Sequence, residues 1–388
     1  MFYDATQAPR LVAWEVTRAC DLACRHCRAM AQPAVDPRQL STDEAFRLVD
    51  NLATFRPPVI LILTGGDPLK RPDIFTVAAR ASQAGLRVVM SPSGTQVTPA
   101  GVAELKRVGV QRISISLDGS TPALHDGFRQ VPGAFEQATA SLAYAREGGL
   151  PFQVNTTVTR HNRHDLADML RLAVDLGAVT WDVFMLVPTG RGKVQMEITP
   201  EEYEETLQWV YGASQTAPIQ VKMTCAPHYK RVQVQDRRRR SDGQRQRPAP
   251  PPSHGFSRGC MAGVGFCFVS HIGEVGGCGY LPLLAGNVRQ APLTEIYRES
   301  ALFKSIRDAN LLQGRCGICE YRLLCGGCRA RALGATGNYL DEEPFCTYQP
   351  DPRAPRELVN VEGVVAQAVA HESRTEAPPP KDFVPHAF

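Results

Sequence analysis

Three cysteines near the start of the chain have the types and spacing of ligands for a metal centre. Cys20, Cys24 and Cys27 are spaced C-x3-C-x2-C, and they follow an apolar run over 11–16 that predicts a β-strand. Three thiolates are one too few for a closed tetrahedral zinc site and one too few to ligate every iron of a four-iron cluster. In a redox enzyme, that shortfall leaves one iron open to a small molecule. The other interpretations are zinc and a disulfide scaffold, although disulfide frameworks are typical of short secreted chains.

The triplet resembles the signature of the radical S-adenosylmethionine (SAM) superfamily, C-x3-C-x-aromatic-C, with His26 in the aromatic position. The resemblance implies a [4Fe–4S] cluster that binds SAM, whose amino and carboxylate groups chelate the fourth iron. Electron transfer would then cleave the sulfonium and give a 5′-deoxyadenosyl radical that abstracts a substrate hydrogen. An external electron donor such as flavodoxin or ferredoxin is implied as well.

Length and composition indicate an ordinary globular protein. The chain has 388 residues, 43% apolar and 21% charged, which suggests two or three domains. No apolar run approaches a membrane span, and the N-terminus lacks the features of a signal peptide. We therefore expect a cytoplasmic protein without a membrane partner, and a net charge of +4 is too small to indicate a nucleic-acid partner. Twelve cysteines in a reducing compartment favour metal over disulfides.

The first half of the chain alternates between short apolar runs and longer amphipathic stretches, which predicts an α/β fold with a parallel sheet. The predicted strands are 11–17, 59–64, 86–90, 112–117, 152–158 and 181–187. The predicted helices between them are 42–55, 72–84, 99–108, 133–148 and 164–176. Six units are too few for a closed eight-fold barrel. The resemblance implies an open, partial (β/α)6 radical SAM barrel.

Ligands of parallel α/β folds bind at the carboxyl ends of the strands, so polar residues just after each strand are candidates. The second strand ends in a Gly-Gly-Asp-Pro run, which is similar to the motif that binds the SAM amino group in the family. After the fourth strand, the resemblance implies contacts to the SAM carboxylate or ribose, with a surface salt bridge as the alternative for Arg129. With His26, the cofactor-binding candidates are Gly65, Gly66, Asp67, Pro68, Ser116, Asp118 and Arg129.

Three features of the middle of the chain leave more than one interpretation open. Arg191 lies in a glycine-rich segment and either meets a substrate carboxylate or is solvated. Cys225 is either a substrate-side residue or a buried small hydrophobe. The basic, proline-rich stretch 230–258 predicts a mobile insertion, with a solvated loop as the default. A nucleic-acid patch and a gate over an acidic substrate are its alternatives.

Eight further cysteines lie between Cys260 and Cys346, and four thiolates close one [4Fe–4S] cluster completely. Zinc is the alternative for the two C-x2-C pairs. The layout resembles the SPASM extension of radical SAM enzymes, which implies a small cysteine-rich domain with two auxiliary [4Fe–4S] clusters. The resemblance implies one ligand set of Cys260, Cys267, Cys278 and Cys328. It implies a second set of Cys316, Cys319, Cys325 and Cys346, with Cys325 and Cys328 able to exchange roles.

The predicted organisation has four parts: the barrel over 1–215, a linker over 216–258, the SPASM-type domain over 259–350, and a C-terminal helix and tail over 351–388. The stretches 184–192 and 224–227 resemble the subgroup of alternative haem and haem d1 synthesis, which modifies tetrapyrrole propionates. One alternative is a maturase of a ribosomal peptide. Such enzymes usually carry an N-terminal leader-binding domain, and only ten residues precede the first predicted strand here. A non-catalytic, zinc-bound interaction module is the alternative of another class.

Overall fold

A ten-stranded sheet runs through the part of the chain that the computed structural model describes, residues 4–243 and 258–351. Seven strands are parallel and lie in chain order across the sheet: β1 Leu11–Thr17, β2 Ile60–Gly65, β3 Arg87–Met90, β4 Val110–Ser116, β5 Phe152–Val158, β6 Thr180–Met185 and β7 Gln220–Thr224. Three shorter strands extend the sheet beyond β1: β8 Phe266–Val269, β9 Glu274–Gly276 and β10 Leu284–Asn287. This parallel α/β architecture confirms the predicted fold class.

Helices connect the parallel strands, as parallel pairing requires. Those of the first part are α1 Thr42–Leu52, α2 Ile74–Gln83, α3 Pro99–Arg107, α4 Pro122–Arg129, α5 Ala134–Glu147, α6 Leu166–Leu176, α7 Pro200–Thr216 and α8 Tyr229–Gly243. Those of the cysteine-rich part are α9 Leu293–Glu299, α10 Ala301–Arg307, α11 Gly314–Ile318 and α12 Arg329–Thr336. Helix α1 begins with a capping box, which Ser41 and Glu44 form.

The main core lies between the sheet and the outer helices. Strand β1 is buried along six of its seven residues, and Val12 and Trp14 are completely buried. Leu48 of α1 and Val77 of α2 pack into the same core from the helical layer. Burial on both faces explains why the central strands appear in the sequence as continuous apolar runs.

The structure differs from the sequence predictions in two places. Helix α4 was not predicted, although Thr121 caps it and Pro122 occupies its first turn, which are ordinary start signals. The stretch 230–258 was predicted as a mobile loop, and this is wrong for 230–243, which belong to α8. Val232 is buried in the main core, and that contact stabilises the helix. Residues 244–257, and the predicted helix and tail beyond 351, lie outside the described residues.

The cysteine-rich part is continuous with the barrel. Strand β8 pairs in parallel with β1, with Leu11 opposite Phe266 and Trp14 opposite Val269. Strand β7 pairs in parallel with β6 at the other end of the sheet. The sheet therefore continues across both predicted domain boundaries, at residues 215 and 259. None of the helices in the described ranges is long and apolar enough to cross a membrane.

Candidate functional site

The cysteine triplet forms a loop at the carboxyl end of β1. The loop closes on itself because the Cys20 amide donates to the Gln32 carbonyl at 2.8 Å. The Cys20 and Cys24 side chains are buried, and Cys27 is partly exposed. Two backbone amides already point at sulfur: Leu22 N–H donates to Cys20 Sγ at 3.4 Å and Ala31 N–H to Cys27 Sγ at 3.3 Å. Three soft thiol donors on one loop, with amides that stabilise thiolates, fit an iron–sulfur cluster with one open iron.

The Gly-Gly-Asp-Pro run lies directly beside this loop. A Cβ on Gly65 would stand 2.3 Å from the Thr17 carbonyl oxygen, and one on Gly66 would stand 2.4 Å from that of Ala19. Gly65 also has φ +153°, which disfavours any side chain. Glycine therefore lets the exit of β2 press against the start of the cysteine loop.

Asp67 and Pro68 then turn the chain away from the loop. The buried Asp67 carboxylate accepts hydrogen bonds from Ser93 Oγ at 2.5 Å and Leu69 N–H at 3.0 Å. Pro68 begins a short 3₁₀ turn whose cap is Asp67. Burial raises the pKa of Asp67, and the hydrogen bonds oppose that shift. These two residues hold the shape of the β2 exit.

His26, in the cysteine loop, stacks on helix α4. Its ring lies 4.4 Å from that of Phe128 with an interplanar angle of 6°, and Phe128 stacks in turn on His161 at 5.7 Å. Burial lowers the pKa of His26 to about 4; the carboxylate of Asp118 opposes this, and neighbouring arginines reinforce it. The imidazole is therefore neutral at pH 7 and presents a flat, uncharged face.

A buried ion pair anchors the loop to the fourth strand. Arg129 Nη2 lies 2.5 Å from Asp118 Oδ2, and Arg129 Nη1 donates to Cys24 Sγ at 3.4 Å. Asp118 also accepts from Thr157 N–H at 2.7 Å. Burial opposes ionisation of Asp118, but the Arg129 charge holds its pKa below the ordinary value. Ser116 ends β4, half-buried on the face opposite the main core. The surface alternative for Arg129 is therefore wrong, since the residue is buried.

Arg191, whose role the sequence left open, also contacts the cysteine loop. Its backbone amide donates to the Cys27 carbonyl at 3.1 Å, and its Nη1 donates to the Ala31 carbonyl at 3.2 Å. Within the described residues, its buried Nε and Nη2 have no hydrogen-bond partner. Arg191 also lies close enough to His26 to lower its pKa. Two free guanidinium donors beside the cysteine loop suit a carboxylate.

The cysteines of the C-terminal part fall into separate places. Four of them line one cavity together with Arg231, Arg315 and Tyr348: Cys316, Cys319, Cys325 and Cys346. Cys278 and Cys328 belong to a different, small apolar cluster, and Cys267 lies in the main core. Among residues 4–243 and 258–351, no three His, Cys, Asp or Glu side chains converge closely enough for one metal ion. A four-iron cluster makes a different demand, since each of four thiolates binds a different iron, and four cysteines line this cavity.

Comparison with known proteins identifies the family. The model of the radical SAM superfamily matches residues 14–173. The AdoMet-dependent heme synthase of Methanosarcina barkeri is 47% identical over 348 residues, covering 89% of this chain and 98% of that protein. The chain belongs to the radical SAM superfamily. It is an enzyme of the kind that uses SAM and a [4Fe–4S] cluster, so the non-catalytic alternative is wrong.

Two further similarities concern the wider group of radical SAM enzymes. The mycofactocin maturase MftC of Mycobacterium ulcerans is 30% identical, covering 97% of this chain and 94% of that protein. The crystal structure of Streptococcus suis SuiB bound to S-adenosylmethionine has a TM-score of 0.68 at 14% identity, and it covers 88% of this chain and 78% of that one. The radical SAM fold with a SPASM-type, cysteine-rich C-terminal part is thus confirmed.

Sequence reasoning missed several residues that organise the site. Phe128 and His161 complete the stack on His26, and Ser93 holds Asp67. The sequence also gives no sign of a buried network in which His271 lies 3.0 Å from both Glu15 and Asp36. The start signals of α4 could have revealed Phe128. The others depend on contacts between distant segments, which no local pattern indicates.

Proposed function

We propose that this radical SAM enzyme oxidatively decarboxylates propionate side chains of an iron tetrapyrrole, giving vinyl groups and a haem. The observation that carries the proposal is the 47% identity, over nearly the full length of both chains, to a protein named AdoMet-dependent heme synthase. We further propose an external donor such as flavodoxin or ferredoxin, and a reducing, cytoplasmic setting in which the twelve cysteines stay free of disulfides.

Conversion of one propionate group to a vinyl group takes three steps. The side chain loses one hydrogen atom from the carbon next to the ring, then its carboxylate leaves as carbon dioxide, and one electron remains to be removed. When bound, SAM and the clusters supply the hydrogen acceptor and the electron acceptor. The proposed holders of the first cluster are Cys20, Cys24 and Cys27, and the second auxiliary cluster would use the cysteines that line the cavity beside Arg231.

The residues of this chain supply orientation and charge. His26 would offer a neutral face to the adenine end of SAM, since its ring is already held flat by Phe128. Gly65 and Gly66 keep the β2 exit close to the cysteine loop. Arg191 is the proposed partner of a carboxylate, on SAM or on the substrate, because two of its donors are buried and unpaired in the described residues.

The test is turnover of iron coproporphyrin III, a tetrapyrrole whose side chains are methyl and propionate groups. Anaerobically reconstituted protein, SAM and a strong reductant should give 5′-deoxyadenosine together with products that have lost one carbon dioxide and two hydrogens per propionic acid group. The triple variant Cys20→Ala, Cys24→Ala, Cys27→Ala is the control and should form neither product. Abortive 5′-deoxyadenosine without tetrapyrrole conversion would contradict the proposal.

The second candidate is a peptide maturase, which the 30% identity to MftC over 97% of the chain favours. It predicts that tetrapyrroles leave the rate of SAM cleavage unchanged, whereas a precursor peptide raises it. Measuring that rate with each compound in turn separates the two candidates.

A further inference from the structure

Cys225 belongs to neither predicted ligand set, but it lies near three cysteines that do. Cys225 follows the last residue of β7, at the carboxyl edge of the sheet. Its side chain and that of Cys278 pack against the small apolar cluster that contains Cys328. Cys225, Cys278 and Cys328 are at least fifty residues apart along the chain, so tertiary structure alone brings them together.

Cys260 reaches the same place along the backbone. The residue before it, Gly259, presses on the turn after Cys225, because an added Cβ would stand 2.3 Å from the Pro227 carbonyl oxygen. The Cys260 amide donates to the Cys325 carbonyl at 2.9 Å, three residues before Cys328. The backbone of Cys260 therefore lies close to the segments that carry Cys225 and Cys328.

The segments that carry Cys225, Cys260, Cys278 and Cys328 therefore meet after the end of β7. Four thiolates brought together in this way are what a closed [4Fe–4S] cluster requires.

Cys267 lies elsewhere, although the resemblance assigned it to this set. It is a β8 residue opposite Val12, is fully buried, and belongs to the main core. Side chains alternate along a strand, and the next residue, Phe268, contacts the Arg28 guanidinium at 4.6 Å on the other face.

The backbone of Cys225 has an uncommon conformation, which several hydrogen bonds hold in place. Its φ is +58°, a left-handed conformation that is uncommon for residues other than glycine, asparagine and aspartate. Its carbonyl accepts hydrogen bonds from Tyr203 Oη at 3.0 Å and from both Arg331 Nη atoms at 3.0 and 2.6 Å. Arg331 lies in α12, which begins directly after Cys328. Strained backbone that the surroundings enforce is typical of functional positions.

We propose that Cys225, Cys260, Cys278 and Cys328 are the ligands of the first auxiliary cluster, and that Cys267 is a core residue. The barrel itself then supplies one ligand, from the carboxyl end of β7. The other three come from the cysteine-rich part. The cluster would thus join the two parts at the edge where the SAM site also lies.

The test compares iron, sulfide and EPR spectra of anaerobically reconstituted variants. The unaltered protein should bind about twelve irons, as three four-iron clusters do. Cys225→Ala should retain about eight irons, or about eleven together with the EPR signal of a three-iron cluster. Cys267→Ala, the matched control for a buried cysteine, should keep about twelve irons and an unaltered spectrum.

A second variant separates ligation from folding. Cys225→Gly removes the thiol but suits the left-handed backbone, so it should be as deficient in iron as Cys225→Ala while keeping the far-UV circular dichroism. Full iron content and an unaltered spectrum in both Cys225 variants would overturn the proposal. Full iron content in Cys225→Gly alone would also overturn the proposal. These readouts need no substrate, so they are independent of the proposed reaction.

Discussion

At the scale of single residues, the site depends on charges that are buried in pairs. Arg129 neutralises Asp118 and also donates to Cys24, so a single guanidinium connects β4 with the cysteine loop. A buried charge without its partner is strongly destabilising, and this explains why the two opposite charges lie together. Arg191 differs from Arg129, because it forms no ion pair within the described residues and its buried Nε and Nη2 have no hydrogen-bond partner there. We therefore expect Arg191 to bind an anionic ligand.

Replacing Arg191 should weaken binding of a carboxylate ligand. Hydrogen bonds to charged groups contribute about 1.5–3 kcal/mol, so Arg191→Gln should raise the KM for SAM or for the proposed tetrapyrrole substrate roughly 10- to 100-fold. Arg191→Lys should recover part of this loss, since it keeps the charge but not the fork of donors. Steady-state kinetics with each ligand varied in turn shows which carboxylate is bound.

The control for this series is Arg171→Gln, at an exposed position on α6. It should leave both KM values unchanged. Arg191→Gln with two unaltered KM values would remove Arg191 from the binding site.

At the scale of elements, the carboxyl ends of β1 and β2 must lie in direct contact. Gly66→Ala should disturb this contact, because the new Cβ would meet the Ala19 carbonyl oxygen at 2.4 Å. We expect at least a tenfold loss of SAM affinity, about 1.4 kcal/mol, measured by equilibrium dialysis. The absorbance of the cluster should remain, since the three cysteines are unchanged.

Gly212→Ala is the matched control, because nothing lies within 4 Å of its added Cβ on the exposed side of α7. Alanine is favoured over glycine inside a helix, so this variant should be neutral or more stable by up to about 1 kcal/mol. Equal SAM affinity in Gly66→Ala and Gly212→Ala would show that the contact of the two strand ends does not matter.

A buried network joins β1 to the cysteine loop and to the turn after β8. The Glu15 carboxylate, which is completely buried, lies 2.7 Å from Arg28 Nη2 and 3.0 Å from His271 Nδ1. Burial by itself raises the pKa of Glu15, but Arg28, His271 and Arg18 together lower it to about 2. The network therefore favours the ionised carboxylate in the folded protein.

This network predicts a pH dependence of stability. The pKa of Glu15 is lower in the folded state than in the unfolded chain, so its contribution is complete above about pH 5 and is lost as the pH falls toward 2. The pKa difference corresponds to roughly 3 kcal/mol. Urea unfolding at pH 7 and pH 3 should show that Glu15→Gln weakens this acid dependence.

Glu104→Gln, which alters an exposed pair with Arg107, serves as the control and should change stability by less than about 0.5 kcal/mol. An acid dependence that is the same in Glu15→Gln and in the unaltered protein would contradict the role given to the network.

At the scale of the whole molecule, the barrel and the cysteine-rich part share one sheet. Because β8 pairs with β1, loss of structure in the cysteine-rich part exposes the edge of β1. We expect Cys316→Ala with Cys319→Ala to lower the midpoint of thermal unfolding in a single transition, since metal binding stabilises the folded state. Native-state hydrogen exchange should give the amides of β8 and β1 similar protection. A separate low-temperature transition confined to the cysteine-rich part would contradict this coupling.

Features that depend on local spacing are evident in the amino-acid sequence alone. The triplet of Cys20, Cys24 and Cys27 and the apolar runs of β1 to β6 identified the superfamily and the parallel α/β fold. Their strand bounds agree with the structure to within two residues. Metal ligands on one short loop form a pattern within a few consecutive residues, and so do the apolar residues of a strand that is buried on both faces.

The contacts between distant residues, in contrast, depend on the folded structure. It brought Arg129 and Arg191 to the cysteine loop, joined His271 to Glu15, and placed Cys225 beside Cys278 and Cys328 while Cys267 faces the main core. These contacts depend on strand order, on which face of β8 a side chain takes, and on a left-handed backbone at Cys225. A shift of one residue along a strand reverses the face of a side chain, so the spacing of cysteines alone does not determine which of them share a cluster.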